Sequence, residues 1–413
     1  MELNSIITGV IDNLDHSGRG IIRGFDKIIF VPNALEGEKV KVKLTNIKKK
    51  YYEAEIVEYI KTSDKRISPK CKYYNMCGGC SLSHMSYEDE LLYKNNKVKE
   101  VLKKFGNVDE SKIKNIISSG DPFNYRNKGT FKVKNDLGYY EKGSNELVNI
   151  DSCLLVNENI NNIVALLNDY NLDNIYEIVI RYSSYEKESL VVIKITDNID
   201  EVGLVNYLKN EVNNIIVYYK KEYRTIYGKG YIIDNIGDKK YKISPESFFQ
   251  INNDGAKLMY DKILEYLGSD KSLSLLDLYC GAGTIGIYAS DNVKNVIGLE
   301  INKYAINDAK ENILINKVNN AKFICKDASL VNENELCDNV VVDPPRAGLD
   351  RKGIDFLLNH NFNKLIYVSC DPVTLARDIK LLNEKYKLVE VTPVDMFANT
   401  YHVETVVLMS GDK

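Results

Sequence analysis

Asp277-Leu278-Tyr279-Cys280-Gly281-Ala282-Gly283-Thr284-Ile285-Gly286 is the stretch on which the fold of the C-terminal part of this chain turns. An apolar run, Leu273–Tyr279, precedes the glycines, and a helical stretch begins at Gly286–Ala289. The decapeptide therefore reads as a strand-to-helix turn, whose glycines let the backbone bend sharply and come close to a ligand. Outward from it the pattern alternates. Asn295–Glu300 is the next expected strand and Lys303–Asn316 is amphipathic. Lys322–Lys326, Asn339–Asp343, Lys364–Ser369, Lys387–Asp395 and finally Thr405–Met409 follow as strands. Strands alternating with helices predict a mostly parallel, doubly wound, Rossmann-like α/β sheet. The loop holding Asn399–Glu404 is too short for a parallel crossover, so the terminal strand is expected to be antiparallel.

At 413 residues the chain is too long for one core. Three domains are expected, at 1–61, 62–240 and 241–413. The first reads as about five short strands, with turns at Ser17–Gly20 and Glu36–Glu38, and suggests a small barrel of the OB type. Its segment Lys39–Lys50 holds six lysines and no acid, either a phosphate-facing edge or a solvated strand face. The second domain is mixed α+β: a helix over Glu88–Phe105, then strands at Gly129–Lys134, Ile178–Tyr182, Leu190–Ile195 and Asn214–Tyr219. The net charge of −3 gives no whole-chain case for a nucleic-acid partner, so any such site has to be local. No apolar run is long enough to span a bilayer and no secretory leader is evident, so a cytoplasmic, reducing address is expected. There the eight cysteines should be metal ligands, nucleophiles or core residues.

Glu300 ends the second strand of the alternating region, 19 residues beyond Gly281, where a carboxylate can accept hydrogen bonds from ribose hydroxyls. Glycines plus a downstream acid fit any dinucleotide-type cofactor. Two features favour S-adenosylmethionine. Asp277 precedes the glycines, where it can meet the cationic methionine end. Asp343-Pro344-Pro345-Arg346 closes a later strand at the same sheet edge, and a nicotinamide enzyme needs neither. Asp327 is placed for the adenine amino group.

Ser369-Cys370-Asp371-Pro372 ends the next strand on the ligand-bearing edge, and the last loop brings Tyr401-His402-Val403-Glu404 towards it. Cys325 and Cys337, by contrast, read as small buried hydrophobes. A thiol and a carboxylate together suit methylation of a carbon with no lone pair. If a thiolate adds to carbon 6 of uracil, carbon 5 gains carbanion character and can take a methyl group. A base must then remove the carbon 5 proton. Cys370 is the expected nucleophile and Glu404 the base; His402 could compete but more naturally positions the loop.

These motifs closely resemble the RNA uracil-5-methyltransferase family: Cys-Gly-Ala-Gly at Cys280–Gly283, Asp-Pro-Pro-Arg-Ala-Gly at 343–348, Ser-Cys-Asp-Pro-Val-Thr-Leu-Ala-Arg-Asp at 369–378, His-Val-Glu-Thr-Val at 402–406, and Ser-Phe-Phe-Gln-Ile-Asn at 247–252. The resemblance implies a class I S-adenosylmethionine-dependent fold in which Gln250, Tyr279, Gly281, Glu300, Asp327 and Asp343 contact or line the cofactor pocket. It assigns Cys370 and Glu404 the roles of nucleophile and base. The family's second glutamine in this region is missing here, so Asp254 and Gly255 receive no role.

Cys71-x5-Cys77-Gly78-Gly79-Cys80 is a tight three-thiol group, whose spacing leaves zinc, an iron–sulfur cluster and the fourth ligand open. The resemblance supplies Cys153 as the fourth and a 4Fe–4S cluster as the occupant, with a structural role. His84 is then unneeded as a ligand and is expected to pack. The N-terminal barrel resembles a TRAM domain, and barrel plus cluster resembles the branch acting on 23S ribosomal RNA, with tRNA as the alternative. Reaching both ring carbons requires a flipped base, so a loop is favoured, and Tyr125-Arg126-Asn127-Lys128 offers a stacking and phosphate-binding group. No obligate protein partner is evident. An iron–sulfur oxidoreductase would leave Glu404 unexplained, and an RNA-binding protein with a dead catalytic domain would have no use for Cys370 and Glu404.

Overall fold

The computed structural model describes residues 1–328, 330–332 and 335–411. They divide into two compact units. Met1–Lys97, Tyr140–Val148 and Phe397–His402 form the first, and the rest of the described chain forms the second.

The first unit is built on six strands: β1 (Ile6–Val10), β2 (Asn13–Leu14), β3 (Gly20–Ile22), β4 (Ile28–Val31), β5 (Lys39–Ile47) and β6 (Tyr51–Lys61), in the sheet order β1-β5-β6-β4-β3-β2. Alternation puts Val40, Val42 and Leu44 of β5 inside, with Ile29, Val31, Tyr52 and Ala54. The lysines of β5 point out. Lys41 pairs with Glu58 at 2.6 Å and Lys43 with Glu55 at 3.9 Å, so acids on β6 partly neutralise the lysine-rich edge.

The boundary between the units falls within α1 (Tyr87–Gly106), whose Val98, Val101 and Leu102 join the core of the second unit. After the short β7 (Ile117–Ser118) come β8 (Lys128–Val133), β9 (Leu137–Tyr140), β10 (Leu147–Asn149), α2 (Glu158–Asn168), β11 (Ile175–Ser183), β12 (Glu188–Ile195), α3 (Glu201–Leu208), β13 (Asn214–Tyr219) and β14 (Glu222–Tyr227). These strands form one seven-stranded sheet in the order β10-β9-β8-β11-β12-β13-β14. A hairpin, β15 (Ile232–Ile236) and β16 (Lys239–Ile243), leads into α4 (Asn253–Leu267), which Asn252 caps through its side chain to the Gly255 amide at 3.0 Å.

The remaining elements are β17 (Leu275–Leu278), α5 (Thr284–Ala289), β18 (Val296–Glu300), α6 (Lys303–Ile315), β19 (Ala321–Cys325), β20 (Asn339–Val342), α7 (Arg351–Asn359), β21 (Lys364–Ser369), α8 (Pro372–Leu382), β22 (Tyr386–Asp395) and β23 (Glu404–Gly411). Their sheet runs β19-β18-β17-β20-β21-β23-β22-β7. From β19 to β21 all neighbours are parallel; β23 is antiparallel to both β21 and β22 and lies between them. Strands covered on both faces read as near-continuous apolar runs, and β17 and β20 are buried at every position. Each apolar side chain among them taken fully from water stabilises the fold by about 1.5–3 kcal/mol. Asp277 is the one charged residue of β17 and is wholly buried. The strand order reverses at β17, between β18 and β20, and ligands of doubly wound sheets bind at the carboxyl ends beside such a point. Among the described residues, no helix is long and apolar enough to cross a membrane.

Candidate active site and cofactor pocket

The turn after β17 folds as its glycines require. Gly281 and Gly283 have φ of 53° and 77°, and Gly283 caps α5. Tyr279 shares the left-handed region at 64° without being glycine, a sparsely populated conformation of the kind that gathers at ligand sites. Asp277 accepts the Gly286 amide on Oδ2 at 2.9 Å, while its buried Oδ1 has no hydrogen-bond partner. Burial, and then the nearby charges of Asp343 and Glu300, push its carboxyl up to about 8. A buried acceptor without a donor is costly, so a cationic or hydrogen-bonding ligand group at this point would relieve it.

Glu300, at the end of β18, accepts from the Gly281 amide at 3.3 Å and from the Asn302 amide at 2.8 Å. Asp343 follows β20, and burial alone pushes it up to about 7. Tyr279 is half-buried and its hydroxyl is pushed up to about 12, mainly by burial. Gln250 is buried before α4, with its carbonyl accepting from Asn127 Nδ2 at 2.9 Å. Asp327 lies half-buried two residues past β19. The acids Asp277, Glu300 and Asp343 thus meet at the carboxyl edge of β17, β18 and β20, where a sulfonium-bearing nucleoside would find counter-charge.

Cys370 and Glu404 meet on the same edge. In the antiparallel β21–β23 ladder Ser369 pairs with Thr405, and one further step sets Cys370 beside Glu404. Burial first, and the charge of Glu404 second, push the Cys370 thiol up to about 11; Arg346 pulls the other way. Glu404 is pushed up to about 8 by burial and by Asp343, again opposed by Arg346. Cys370 immediately precedes Asp371, whose carboxylate caps α8 through the amides of Val373 at 2.7 Å and Thr374 at 3.2 Å. His402, the competing base, lies in the other unit, its ring 4.2 Å from that of Tyr401.

One set of residues escaped the sequence reading. Thr374, Arg377 and Asp378 on α8 clamp the Pro344–Leu349 loop that carries Arg346. Thr374 Oγ1 donates to the Arg346 carbonyl at 3.2 Å, and Arg377 Nη2 donates to the carbonyls of Ala347 and Leu349, each at 3.0 Å. Buried Asp378 accepts from the Leu349 amide at 2.9 Å, the Tyr367 hydroxyl at 2.6 Å and Arg377 Nε at 2.7 Å. Their spacing at i, i+3 and i+4 on a helix starting at the catalytic edge was the available signal.

Cys71, Cys77 and Cys80 lie half-buried in the first unit and Cys153 half-buried in the second. Among the described residues no three His, Cys, Asp or Glu side chains converge as a metal-ion site. The Gly79 amide does point at Cys77 Sγ, at 3.3 Å. His84 is buried, bonded to the Tyr74 hydroxyl at 2.6 Å and to the Ala34 carbonyl at 3.4 Å, a packing role as expected. Cys337 is buried as expected, whereas Cys325 is exposed at the end of the edge strand β19. Arg126 stays beside Tyr125, its Nε 3.4 Å from the hydroxyl.

The family model for tRNA (uracil-5-)-methyltransferases matches residues 86–335 and 328–412, and that for TRAM domains matches residues 5–57. The chain belongs to the RNA uracil-5-methyltransferase family. A Staphylococcus aureus protein described as an uncharacterized RNA methyltransferase is 35% identical over 98% of this chain and 98% of its own length. A Clostridium tetani protein of the same description is 34% identical over 99% and 98%. A solved structure, the Pyrococcus abyssi tRNA (uracil-54, C5)-methyltransferase in complex with S-adenosyl-L-homocysteine, is 28% identical. It superposes with a TM-score of 0.81, covering 98% of this chain and 100% of that one. This RNA uracil-5-methyltransferase has the class I fold, an N-terminal TRAM domain and S-adenosylmethionine as methyl donor.

Proposed function

We propose that Cys370 is the nucleophile and Glu404 the base in methylation of carbon 5 of a uridine in 23S ribosomal RNA. The observation that carries this reading is the adjacency of the two side chains at the carboxyl edge of the sheet, beside Asp343 and Arg346. S-adenosylmethionine, when bound, supplies an electrophilic methyl group; Gln250, Tyr279, Gly281, Glu300, Asp327 and Asp343 would hold it, with the unpartnered oxygen of Asp277 nearby. Cys370 gives up its proton to solvent and its sulfur bonds to carbon 6 of the flipped base, the ring double bond opening to leave carbon 5 nucleophilic. Once carbon 5 carries the methyl group, Glu404 takes its proton, the ring double bond re-forms and the sulfur leaves. Both groups hold their protons tightly in the free enzyme, so each must lose one before it can act; Arg346 favours that loss in both.

The ribosomal target is supported by the combination of a TRAM domain with the Cys71, Cys77 and Cys80 group, which we read as ligands of a structural 4Fe–4S cluster in a cytoplasmic protein. The donor chemistry fits: three thiols on one tight loop and an amide directed at one sulfur. No catalytic step uses that group. The Pyrococcus abyssi likeness supports a second reading, a tRNA uridine.

Incubation of the protein with 23S ribosomal RNA and with tRNA, each with labelled S-adenosylmethionine, tests both readings. Label at uracil carbon 5 in ribosomal RNA is expected. Label in tRNA alone replaces the substrate, and label on an adenine nitrogen refutes the mechanism. Anaerobic protein should be coloured and contain iron; a colourless protein with stoichiometric zinc removes the cluster.

A further inference from the structure

Arg181 sits on β11 in the middle of the seven-stranded sheet and is 4% exposed. Its Nη1 is buried with no hydrogen-bond partner, and Nη2 has only the Ser247 carbonyl at 3.4 Å. The acid whose charge it feels, Asp234, is engaged elsewhere: it accepts from Asn253 Nδ2 at 2.8 Å, the Asn235 amide at 3.0 Å and Ser183 Oγ at 3.2 Å. The β8–β11 register places Lys128 directly opposite Arg181, and residues directly opposite in an antiparallel pair share one face. The acid on this face, Glu177, is taken by Lys132 and by Lys194 at 2.7 Å. Four cations therefore share this face with two carboxylates, Glu177 and Asp234, each already hydrogen-bonded to other groups.

Packing two cations side by side, one of them stripped of water, opposes folding on both counts. A sheet that keeps such a pair with its two nearby acids, Asp234 and Glu177, bonded to other groups is prepared for an anion from outside. We propose that Arg181 and Lys128 form a binding site for a backbone phosphate of the RNA substrate. The guanidinium offers a planar fork suited to two phosphate oxygens, and the ammonium adds a point charge. Burial and the neighbouring cations hold Lys128 down to about 8, so an incoming phosphate also secures its proton. Lys128 is the more exposed of the two and offers the pair's open side. The methyl donor's carboxylate is the weaker candidate, because the acids Asp277, Glu300 and Asp343 that would meet its cationic end lie on the other sheet. The inference rests on the chain acting on RNA and is independent of which uridine is methylated.

The test measures affinity of the full chain for a uracil-containing RNA against salt concentration, for wild type, Arg181→Met, Lys128→Met and Arg181→Lys. Losing one phosphate contact should flatten the slope of log affinity against log salt by about 0.7 for single-stranded RNA. Both methionine variants should show this and Arg181→Lys should restore it. S-adenosylhomocysteine affinity should be unchanged, and Arg181→Met should melt no lower than wild type without RNA. An unchanged slope overturns the site. So does weakened S-adenosylhomocysteine binding, which would give the pair to the cofactor. So does loss of cooperative melting in Arg181→Met, which would make the arginine structural. A wild type that shows the salt effect yet does not methylate uracil leaves the phosphate site standing and refutes the proposed reaction instead.

Discussion

Glu404 lies one step beyond the Ser369–Thr405 pair of the β21–β23 ladder, beside Cys370, and its charge helps to keep the thiol protonated. The relationship depends on β23 running antiparallel to β21. A parallel last strand would carry residue 404 to the opposite end of the sheet, far from any strand's carboxyl edge.

The two residues are separable by substitution. Cys370→Ala should leave S-adenosylhomocysteine binding intact and abolish turnover, because no covalent adduct can form. Glu404→Gln should slow turnover by about 10²–10⁴-fold, the usual loss on removing a general base. It should also accumulate a covalent protein–RNA species that survives denaturing electrophoresis. Normal turnover in either variant, or no adduct in the second, removes the assigned role.

The acidity of Cys370 can be measured without RNA. With the thiol pushed up to about 11, the rate of its alkylation by iodoacetamide should keep rising with pH well beyond the range where an ordinary thiol, half-ionised near about 8.5, levels off. Arg346 opposes the upward shift of both Cys370 and Glu404, so Arg346→Gln should move the alkylation curve to still higher pH. A curve that levels off below that of an ordinary thiol would mean that the nucleophile is pre-ionised and Arg346 is not needed for it.

What could be read from the sequence were the features encoded by neighbours in the chain. The glycine turn at 281–283, the strand–helix alternation and the antiparallel last strand all follow from local pattern or loop length. Features set by pairing across long separations were not legible. Nothing in Thr405–Met409 says that β23 inserts between β21 and β22. The two-residue β7 has no periodicity to detect, yet it pairs in parallel with β22 at Val394 and Asp395. The strand β3 begins at Gly20, the last residue of the stretch that reads as a turn, and its three residues are too few to show a period. Cys325 looks like a core residue because it ends an apolar strand, but that strand is the sheet's edge and the thiol is exposed. The α8 clamp was hidden for the same reason, since its partners are carbonyls of a loop 28 to 30 residues upstream.

Asp343 should make stability fall as pH rises. The unfolded chain releases this proton near pH 4, whereas the folded protein holds it to about 7. Between those values the folded state binds the extra proton. The group's favourable contribution is therefore complete below about 4, declines through the window and is absent above about 7. Asp343→Asn should then match wild type in melting temperature at about pH 4 and exceed it at about pH 8. S-adenosylmethionine, a cation, should stabilise wild type more than neutral S-adenosylhomocysteine, and increasingly so at higher pH; in the variant that gap should shrink. Equal melting at both pH values would show that Asp343 is not held protonated.

Gly348 tests whether the α8 clamp positions Arg346. Its φ is 74°, and a Cβ there would lie 2.5 Å from Asp378 Oδ2 and 2.7 Å from Arg377 Nη2. Gly348→Ala thus both strains the backbone, by about 1–3 kcal/mol, and pushes the loop off its clamp. Asp378→Asn weakens the same clamp from the helix side by reducing charge-assisted bonds to Leu349, Tyr367 and Arg377. Neither side chain belongs to the cofactor pocket, so S-adenosylhomocysteine affinity should hold while kcat falls by about 10-fold or more for a reacting group misplaced by about 1 Å. The distinguishing readout is pH. If the clamp works through Arg346, both variants should move the alkylation curve of Cys370 upward in the same sense as Arg346→Gln, and combining either with Arg346→Gln should add little. Variants that merely melt lower, with the Cys370 curve unmoved, would reduce the clamp to a stabilising contact.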